Sequence, residues 1–301
     1  MKQRGLKFLF IVHSLANRSG TVGRNPRLGL IFQELFQPES RPPLRQLPTT
    51  IGGVTLATMK NVSEILHYLL DRSRKMKTLD EGPLLAVFDL DSTLFDVSPR
   101  TQAILHDLAA HPKTQEKFPE EARQLAGVRS LPKDWGIRVA LERSKIRATL
   151  DFFETVRTFW VENFFGNDYL HHDRLYDGAL EFVQQLYEAG ARIIYLTGRD
   201  QERMGDGTLR ILKSWNLPLD DEERHLILKP HRSIEDARYK TDKLIELNTR
   251  YPEVWFFENE PVIIDLVRRE APQIKIVFVD TTHSGRSSAP EDLPAIRGKF
   301  K

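Results

Sequence analysis

Five short apolar runs recur along the chain, and polar or helical segments separate them. Runs that are short and almost wholly apolar are typical of parallel strands buried on both faces of a sheet. Because these runs alternate with helical patterns, their order predicts an open α/β sheet. The runs are Leu84–Phe88, Ala191–Leu196, His225–Leu228, Val254–Phe257 and Ile274–Val279.

Helical periodicity fills several of the intervals between these runs. An apolar stripe with the spacing i, i+3, i+4, i+7 begins just after Asn61 and predicts a helix there. A second stripe covers residues 179–187 and ends before Gly190, a residue type that commonly terminates helices. Pro261 follows the fourth run and suits the first turn of another helix.

A long interval of about 90 residues separates the first run from the helix at 179–187, far more than an ordinary strand–helix connection. The interval has helical patterns of its own and many aromatic residues, which we interpret as a small separate core. The pattern therefore predicts a helical domain over residues 99–172, inserted after the first strand. Residues 59–98 and 173–283 then form the sheet domain.

The two terminal segments lack a sustained apolar period. Residues 1–58 contain several prolines and glycines, and we expect a flexible extension or residues upstream of a natural start at Met59. Residues 284–301 are polar, with proline and glycine, so the sequence predicts a flexible tail there.

Composition narrows the functional classes. Lysine and arginine number 44 against 42 aspartates and glutamates, so the chain has no bulk attraction to nucleic acid or to a membrane surface. Nucleic-acid ends remain an alternative partner, although the charge balance does not support them. No apolar run is long enough to span a bilayer, and the absence of cysteine fits a reducing compartment. We expect a cytoplasmic protein.

The string LLAVFDLDSTLFD places two carboxylates directly after the first apolar run. Asp89 and Asp91 would lie at the carboxyl end of a buried strand, where open α/β sheets bind their ligands. Two carboxylates held so close together repel each other and need a compensating cation. Their oxygen atoms suit Mg²⁺, which commonly binds one or two carboxylates together with phosphate.

This string resembles the first motif of the haloacid dehalogenase superfamily, in which apolar residues precede DxDxT, and Thr93 supplies the threonine. The resemblance implies a three-layered, Rossmann-like parallel sheet with a helical cap inserted after the first strand. It also implies that Asp89 is the nucleophile, which forms an aspartyl-phosphate, and that Asp91 is the general acid/base. Asp91 favours the phosphatase branch, because the dehalogenase branch lacks the second aspartate.

The string IIYLTGRD resembles the second motif of the superfamily. Thr197 matches the serine or threonine that ends the second strand, with Gly198 and Arg199 as further substrate-binding residues. A hydroxyl and a free backbone N–H at a strand end can hold a phosphoryl oxygen. Arg199 binds phosphate in this interpretation, and the alternative is that it pairs with Asp200 or Glu202.

The third motif of the superfamily is a lysine that neutralises the phosphate and the nucleophile. Lys240, which opens a helical pattern, is our assignment for both catalysis and substrate binding. The spacing of this motif is loose, so Lys243 and Lys229 remain alternatives.

The fourth motif is usually a pair of acidic residues after the fourth strand, and here it reads VWFFENEP. Glu258 takes the place of the expected aspartate. The resemblance then implies that Mg²⁺ is held by Asp89, Asp91 and Glu258, with Asn259 or Asp265 as alternatives to Glu258.

Together the motifs predict a magnesium-dependent phosphomonoester hydrolase that acts on a small phosphorylated metabolite or nucleotide. One alternative is a phosphotransferase or phosphomutase with the same nucleophile. Another is a non-catalytic binding protein that keeps the fold, which the glutamate of the fourth motif favours. The presence of Asp89, Asp91 and Thr197 argues against this last alternative.

Overall fold

The computed structural model describes residues 50–51, 54–55, 59, 61–147, 149–219 and 225–301. Almost all of the expected N-terminal extension, residues 1–58, lies outside these described residues. Within it, β1 (Thr50–Ile51) and β2 (Val54–Thr55) form a short antiparallel pair.

A parallel sheet forms the centre of the fold. The strands after β2 are β3 (Leu85–Phe88), β4 (Phe95–Asp96), β5 (Arg174–Leu175), β6 (Arg192–Asp200), β7 (Leu226–Lys229), β8 (Val254–Glu258), β9 (Lys275–Asp280) and β10 (Ala295–Arg297). Within the described residues, six of them form one sheet in the order β10–β9–β8–β3–β6–β7, with every pair parallel. Each apolar run predicted as a strand lies in this sheet, which confirms the predicted α/β class.

Helices occupy most of the connections between strands. They are α1 (Val62–Thr78), α2 (Ser98–Ala110), α3 (Pro112–Lys117), α4 (Pro119–Ala126), α5 (Gly136–Arg143), α6 (Leu150–Phe164), α7 (Ala179–Glu188), α8 (Gln201–Ser214), α9 (Asp236–Asn248) and α10 (Pro261–Glu270). None of these described helices combines the length and the apolar character needed to cross a bilayer.

The helices cover both faces of the sheet, and the alternation of side chains along β3 shows how. Ala86 and Phe88 pack into a core shared with α1, α7 and α8, whereas Leu85 and Val87 pack into a core shared with α9 and α10. Successive side chains of a strand point to opposite faces, so a strand covered on both sides must be apolar throughout. The result is the three-layered core that the sequence predicts.

The first helix forms as its apolar stripe indicates. The Asn61 side chain accepts a hydrogen bond from the backbone N–H of Glu64 at 2.8 Å, which caps the helix N-terminus. Ile65, Leu69 and Met76 lie on one face of α1 and are buried against the sheet. Packing of this face stabilises α1 far more than its intrinsic propensity does.

The residues between β4 and β5 form a helical insert with a core of its own. Helices α2, α4, α5 and α6 bury a separate cluster that includes Leu105, Leu125, Phe152 and Val156. β4 and β5 pair antiparallel, with Phe95 opposite Leu175, so the chain leaves the sheet layer and returns to it at one place. The exact domain bounds, 99–172, remain a prediction.

The structure corrects the expected flexible tail. β10 pairs parallel with β9, and both Ile296 and Phe300 are buried in the main core. The Phe300 ring packs edge-on against Phe182 at 5.3 Å between centroids, and its backbone N–H donates to the Asp177 carbonyl at 2.7 Å. A strand of three residues with one buried side chain has no period that a sequence pattern could reveal.

We predict that Phe300→Ala lowers the free energy of unfolding by roughly 3 kcal/mol, because it removes a buried ring from the core. Urea unfolding measures the change. The neighbouring Lys299 is 66% exposed, so Lys299→Ala should change the free energy by less than about 0.5 kcal/mol. Equal effects of the two substitutions would show that the tail is not packed.

Candidate active site

Polar side chains from three adjacent strands meet at the carboxyl edge of the sheet. Asp89 follows β3, Glu258 ends β8, and Thr197 lies near the end of β6. β3 pairs with both β6 and β8, which brings these residues together. With Asp91 and Lys240 they line the floor of a cavity of about 590 Å³, and residues of the insert line its opposite side.

Both oxygens of the Asp89 carboxylate are held by donors. Oδ1 lies 2.6 Å from the Lys240 ammonium nitrogen, and Oδ2 accepts a hydrogen bond from the Thr93 hydroxyl at 2.7 Å. The backbone N–H of Asp89 donates to the Phe257 carbonyl at 3.0 Å, which ties the residue to β8. Burial raises the pKa of Asp89, and Lys240 opposes that rise. The carboxylate is therefore fixed in orientation at the base of the cavity.

Lys240 contacts a second buried carboxylate as well. Its ammonium nitrogen lies 2.7 Å from Glu258 Oε2, and Glu258 Oε1 accepts the backbone N–H groups of Asn259 and Glu260 at 3.0 Å. Burial raises the pKa of Glu258 to about 7, and the charge of Asp89 adds to the rise while Lys240 opposes it. Two carboxylates share one ammonium, so the group lacks one positive charge. A proton or a metal cation can supply it.

The alternative lysines are engaged elsewhere. Lys229 pairs with Asp236 at 2.5 Å, and Lys243 pairs with Glu246 at 2.8 Å along the same helix. Among the three candidates, Lys240 is the one whose ammonium contacts Asp89.

Asp91 lies in a second charge cluster, where its own carboxylate is 31% exposed and its partners are buried. Its Oδ1 is 2.5 Å from Nη2 of Arg199 and 2.6 Å from Nη2 of Arg100. Asp173 accepts from both guanidiniums, at 2.8 Å from Nε of Arg100 and 2.8 Å from Nη2 of Arg199. Burial favours a higher pKa for Asp91, but the two arginines outweigh it and hold the pKa below its ordinary value. We call these four residues the arginine network.

Arg100 and Asp173 were not predicted from the sequence. They stand 73 residues apart, at opposite ends of the insert, and no motif joins them. Arg199 was expected to bind phosphate or to pair with Asp200 or Glu202. The structure pairs it with Asp91 and Asp173, and Asp200 pairs with Arg203 instead.

Thr197 and Gly198 reach the cavity from β6. Thr197 is buried, and its hydroxyl accepts the backbone N–H of Arg199 at 3.2 Å. A side chain at Gly198 would place its Cβ 2.6 Å from Oδ2 of Asp236, so glycine allows the first turn of α9 to approach the strand end closely. Both residues lie on the cavity surface, where a hydroxyl and backbone N–H groups can meet a bound anion.

The three candidates for the fourth motif, Glu258, Asn259 and Asp265, differ in whether they line the cavity. Glu258 and Asn259 line the cavity, and Asn259 Oδ1 accepts from the Thr93 hydroxyl at 3.0 Å. Asp265 is exposed on α10, where its carboxylate accepts a hydrogen bond from the Ser287 hydroxyl. Asp265 is therefore not among the residues that line the cavity.

The group that can accept a cation is that of Asp89 and Glu258, because these two carboxylates share the single ammonium of Lys240. Asp91, predicted as a third ligand, has both side-chain oxygens bound by arginine. Among the described residues, no group of three histidine, aspartate or glutamate side chains forms a ready metal cluster. Two carboxylates with excess negative charge still suit Mg²⁺, which commonly takes one or two carboxylates and completes its shell with water and phosphate.

Comparisons with known proteins identify the family of the chain. The family model for haloacid dehalogenase-like hydrolases matches residues 84–260, which is more than half of the chain. No curated protein matched the chain.

Solved structures with similarity to the chain include hydrolases of the same superfamily. One is a HAD-superfamily hydrolase of subfamily IA from Geobacter sulfurreducens, with 14% identity, a TM-score of 0.41, and coverage of 68% of this chain and 93% of that one. A HAD-superfamily hydrolase from Ehrlichia chaffeensis has 12% identity, a TM-score of 0.41, and coverage of 71% and 91%. A predicted phosphoglycolate phosphatase from Haemophilus somnus has 16% identity, a TM-score of 0.41, and coverage of 72% and 94%.

We predict that Asp173→Asn lowers the free energy of unfolding by about 3–5 kcal/mol, because it leaves two buried guanidiniums facing a single carboxylate. Asp177 is 57% exposed and pairs with lysines at the surface, so Asp177→Asn should cost less than about 1 kcal/mol. Urea unfolding of both variants gives the comparison. A cost for Asp173→Asn no larger than that for Asp177→Asn would contradict the prediction.

Proposed function

We propose that this chain, which belongs to the haloacid dehalogenase-like hydrolases, is a magnesium-dependent phosphomonoester hydrolase that forms an aspartyl-phosphate at Asp89. The observation that supports this most directly is the Asp89 carboxylate at the end of the central strand. Lys240 holds one of its oxygens and Thr93 holds the other, at the floor of a cavity large enough for a substrate.

In the first step, an oxygen of Asp89 attacks phosphorus. A new bond forms between this oxygen and phosphorus, the ester P–O bond breaks, and the leaving oxygen takes up a proton. Such a covalent intermediate divides one difficult displacement into two easier ones. In this proposal the Thr197 hydroxyl and the backbone N–H of Gly198, two residues of the cavity lining, donate to phosphoryl oxygens.

In the second step, water attacks phosphorus, the bond to Asp89 breaks, and inorganic phosphate leaves. Asp91 is the proposed group that gives a proton to the leaving oxygen and then takes one from the water. The arginine network opposes the protonated form of Asp91 that this donation needs, whereas the negative charge of a bound phosphoryl group would favour it. Arg100 and Arg199 also fix the direction of the carboxylate.

Asp89 and Glu258 are the residues that would hold Mg²⁺, since both are oxygen donors at the floor and their group has one negative charge in excess. Bound there, the ion neutralises charge on the phosphoryl group. Lys240 contributes a fixed positive charge at the same place. We keep the cytoplasm as the proposed location, on the absence of cysteine.

A phosphotransferase with the same nucleophile would pass the phosphoryl group to an acceptor other than water. Release of inorganic phosphate at the same rate as release of the alcohol supports hydrolysis. A non-catalytic binding protein would release neither product.

We predict that Asp89→Asn lowers kcat for 4-nitrophenyl phosphate by roughly 10⁴-fold or more, because an amide does not attack phosphorus. Acid quenching of the wild-type protein after brief exposure to ³²P-labelled substrate should leave label on the chain, and the variant should carry none. Thermal melting checks that the variant is folded. Near-normal kcat in a folded Asp89→Asn variant would refute the mechanism.

We predict that Glu258→Gln raises the Mg²⁺ concentration for half-maximal activity roughly tenfold or more. In the wild-type protein, the Mg²⁺ concentration for half-maximal activity should decrease as the pH rises from about 6 to about 8, because Glu258 must lose its proton to bind the ion. The variant should lack that pH dependence.

The matched control is Asp265→Asn, which removes an exposed carboxylate on α10. It should leave the Mg²⁺ requirement unchanged. An unchanged requirement in Glu258→Gln, together with a large increase in Asp265→Asn, would move the metal ligand to Asp265.

A further inference from the structure

The cavity above Asp89 extends well beyond the strand ends. Its volume of about 590 Å³ lies within the ordinary range for small-molecule sites. The floor residues would bind the phosphoryl group, and the opposite side is lined by residues of α5, α6 and the loop before α5. We call this side the insert wall. It faces the part of the substrate that leaves with the alcohol.

The insert wall is rich in aromatic side chains. The rings of Trp160 and Phe164 are stacked, with centroids 4.4 Å apart and planes inclined by 26°, and Phe165 meets Phe164 edge-on at 5.1 Å. Phe153 and Trp135 also line the cavity, and Trp135 is 54% exposed. Aromatic rings contribute large apolar contact areas and favour stacked or edge-on partners.

Contacts from α2 hold the stacked pair in place. Cζ of Arg100 lies 4.1 Å above the centroid of the Phe164 ring, and Nη1 of Arg100 donates to the Phe164 carbonyl at 3.0 Å. The indole N–H of Trp160 donates to the Thr101 hydroxyl at 3.3 Å. Because these rings are already ordered, a ligand that packs on them loses little free energy to side-chain ordering.

Charged side chains on the insert wall already have partners within the insert. A hydrocarbon ring gives up no hydrogen bonds with water when it packs on the apolar rings of the insert wall, whereas each hydroxyl of a polyol gives up such bonds there. The pairs, with their N···O distances, are Asp134–Arg143 at 2.6 Å, Arg138–Glu142 at 2.9 Å and Arg157–Glu154 at 3.3 Å.

We propose that the substrates of this site are phosphomonoesters whose leaving group carries an aromatic ring, and that the ring packs on the insert wall. The inference rests on the proposed function and specifies its substrate class. Apolar pockets distinguish ligands that differ by one methylene by about tenfold or more. An ester whose leaving group carries an aromatic ring should therefore have a kcat/KM at least about tenfold higher than an ester of a small polyol.

The test compares kcat/KM for four esters in the presence of Mg²⁺: 2-phenylethyl phosphate, adenosine 5′-monophosphate, n-hexyl phosphate and glycerol 3-phosphate. Each releases a primary alcohol, so the demand for protonation of the leaving oxygen is similar. The better of the two aromatic esters should exceed both glycerol 3-phosphate and n-hexyl phosphate by roughly tenfold. The two aromatic esters distinguish a simple aryl group from a nucleotide base.

Trp135→Ala should lower kcat/KM for the better aromatic ester by roughly fivefold more than for glycerol 3-phosphate. Trp135 is half exposed, so its removal leaves the core intact. The control is Leu150→Ala, which removes a 79% exposed side chain of the same insert that does not line the cavity. This control should leave both substrates unaffected.

Three results would overturn the inference. The first is a kcat/KM for glycerol 3-phosphate or n-hexyl phosphate that equals the kcat/KM for the aromatic esters. The second is an equal loss of kcat/KM for all four esters in the Trp135→Ala variant. In both of these the proposed phosphatase activity still stands. The third is no hydrolysis of any ester, 4-nitrophenyl phosphate included, which would refute the proposed function and this inference together.

Discussion

A single ammonium between two buried carboxylates is the interaction on which the site depends. The Lys240 nitrogen lies 2.6 Å from Asp89 and 2.7 Å from Glu258, and all three side chains are almost fully buried. Charges with so little access to water are stable only when they compensate one another. This requirement fixes α9 against the ends of β3 and β8. It also leaves one uncompensated negative charge at the floor of the cavity, beside the proposed nucleophile.

The arginine network is different because its charges balance. Two guanidiniums face two carboxylates, so Asp91 and Asp173 need no further cation. The two buried groups are neighbours in space, yet only the one around Lys240 has a deficit that a proton or Mg²⁺ can fill. In the proposed mechanism, this difference separates a metal site at Asp89 and Glu258 from proton transfer at Asp91.

The parts of the fold that local patterns determine could be predicted from the sequence. A strand buried on both faces must be apolar throughout, so β3 and the carboxylate that follows it stand out in the printed sequence. The partnership of Arg100 with Asp173 could not be predicted, because it forms only when the insert folds and returns to the sheet. β10 was missed for a related reason, since its three residues become a strand only against the edge of β9.

Arg100 joins the two halves of the proposed site. Its guanidinium bonds to Asp91 and Asp173 and also packs on Phe164 in the insert wall. Because Arg100 belongs to α2, any displacement of the insert from the sheet carries this guanidinium with it. Asp91 would then contact Arg199 but not Arg100, and its preference for the ionised form would weaken. In the proposed mechanism, the position of the insert wall and the proton affinity of Asp91 are therefore linked through the Arg100 side chain.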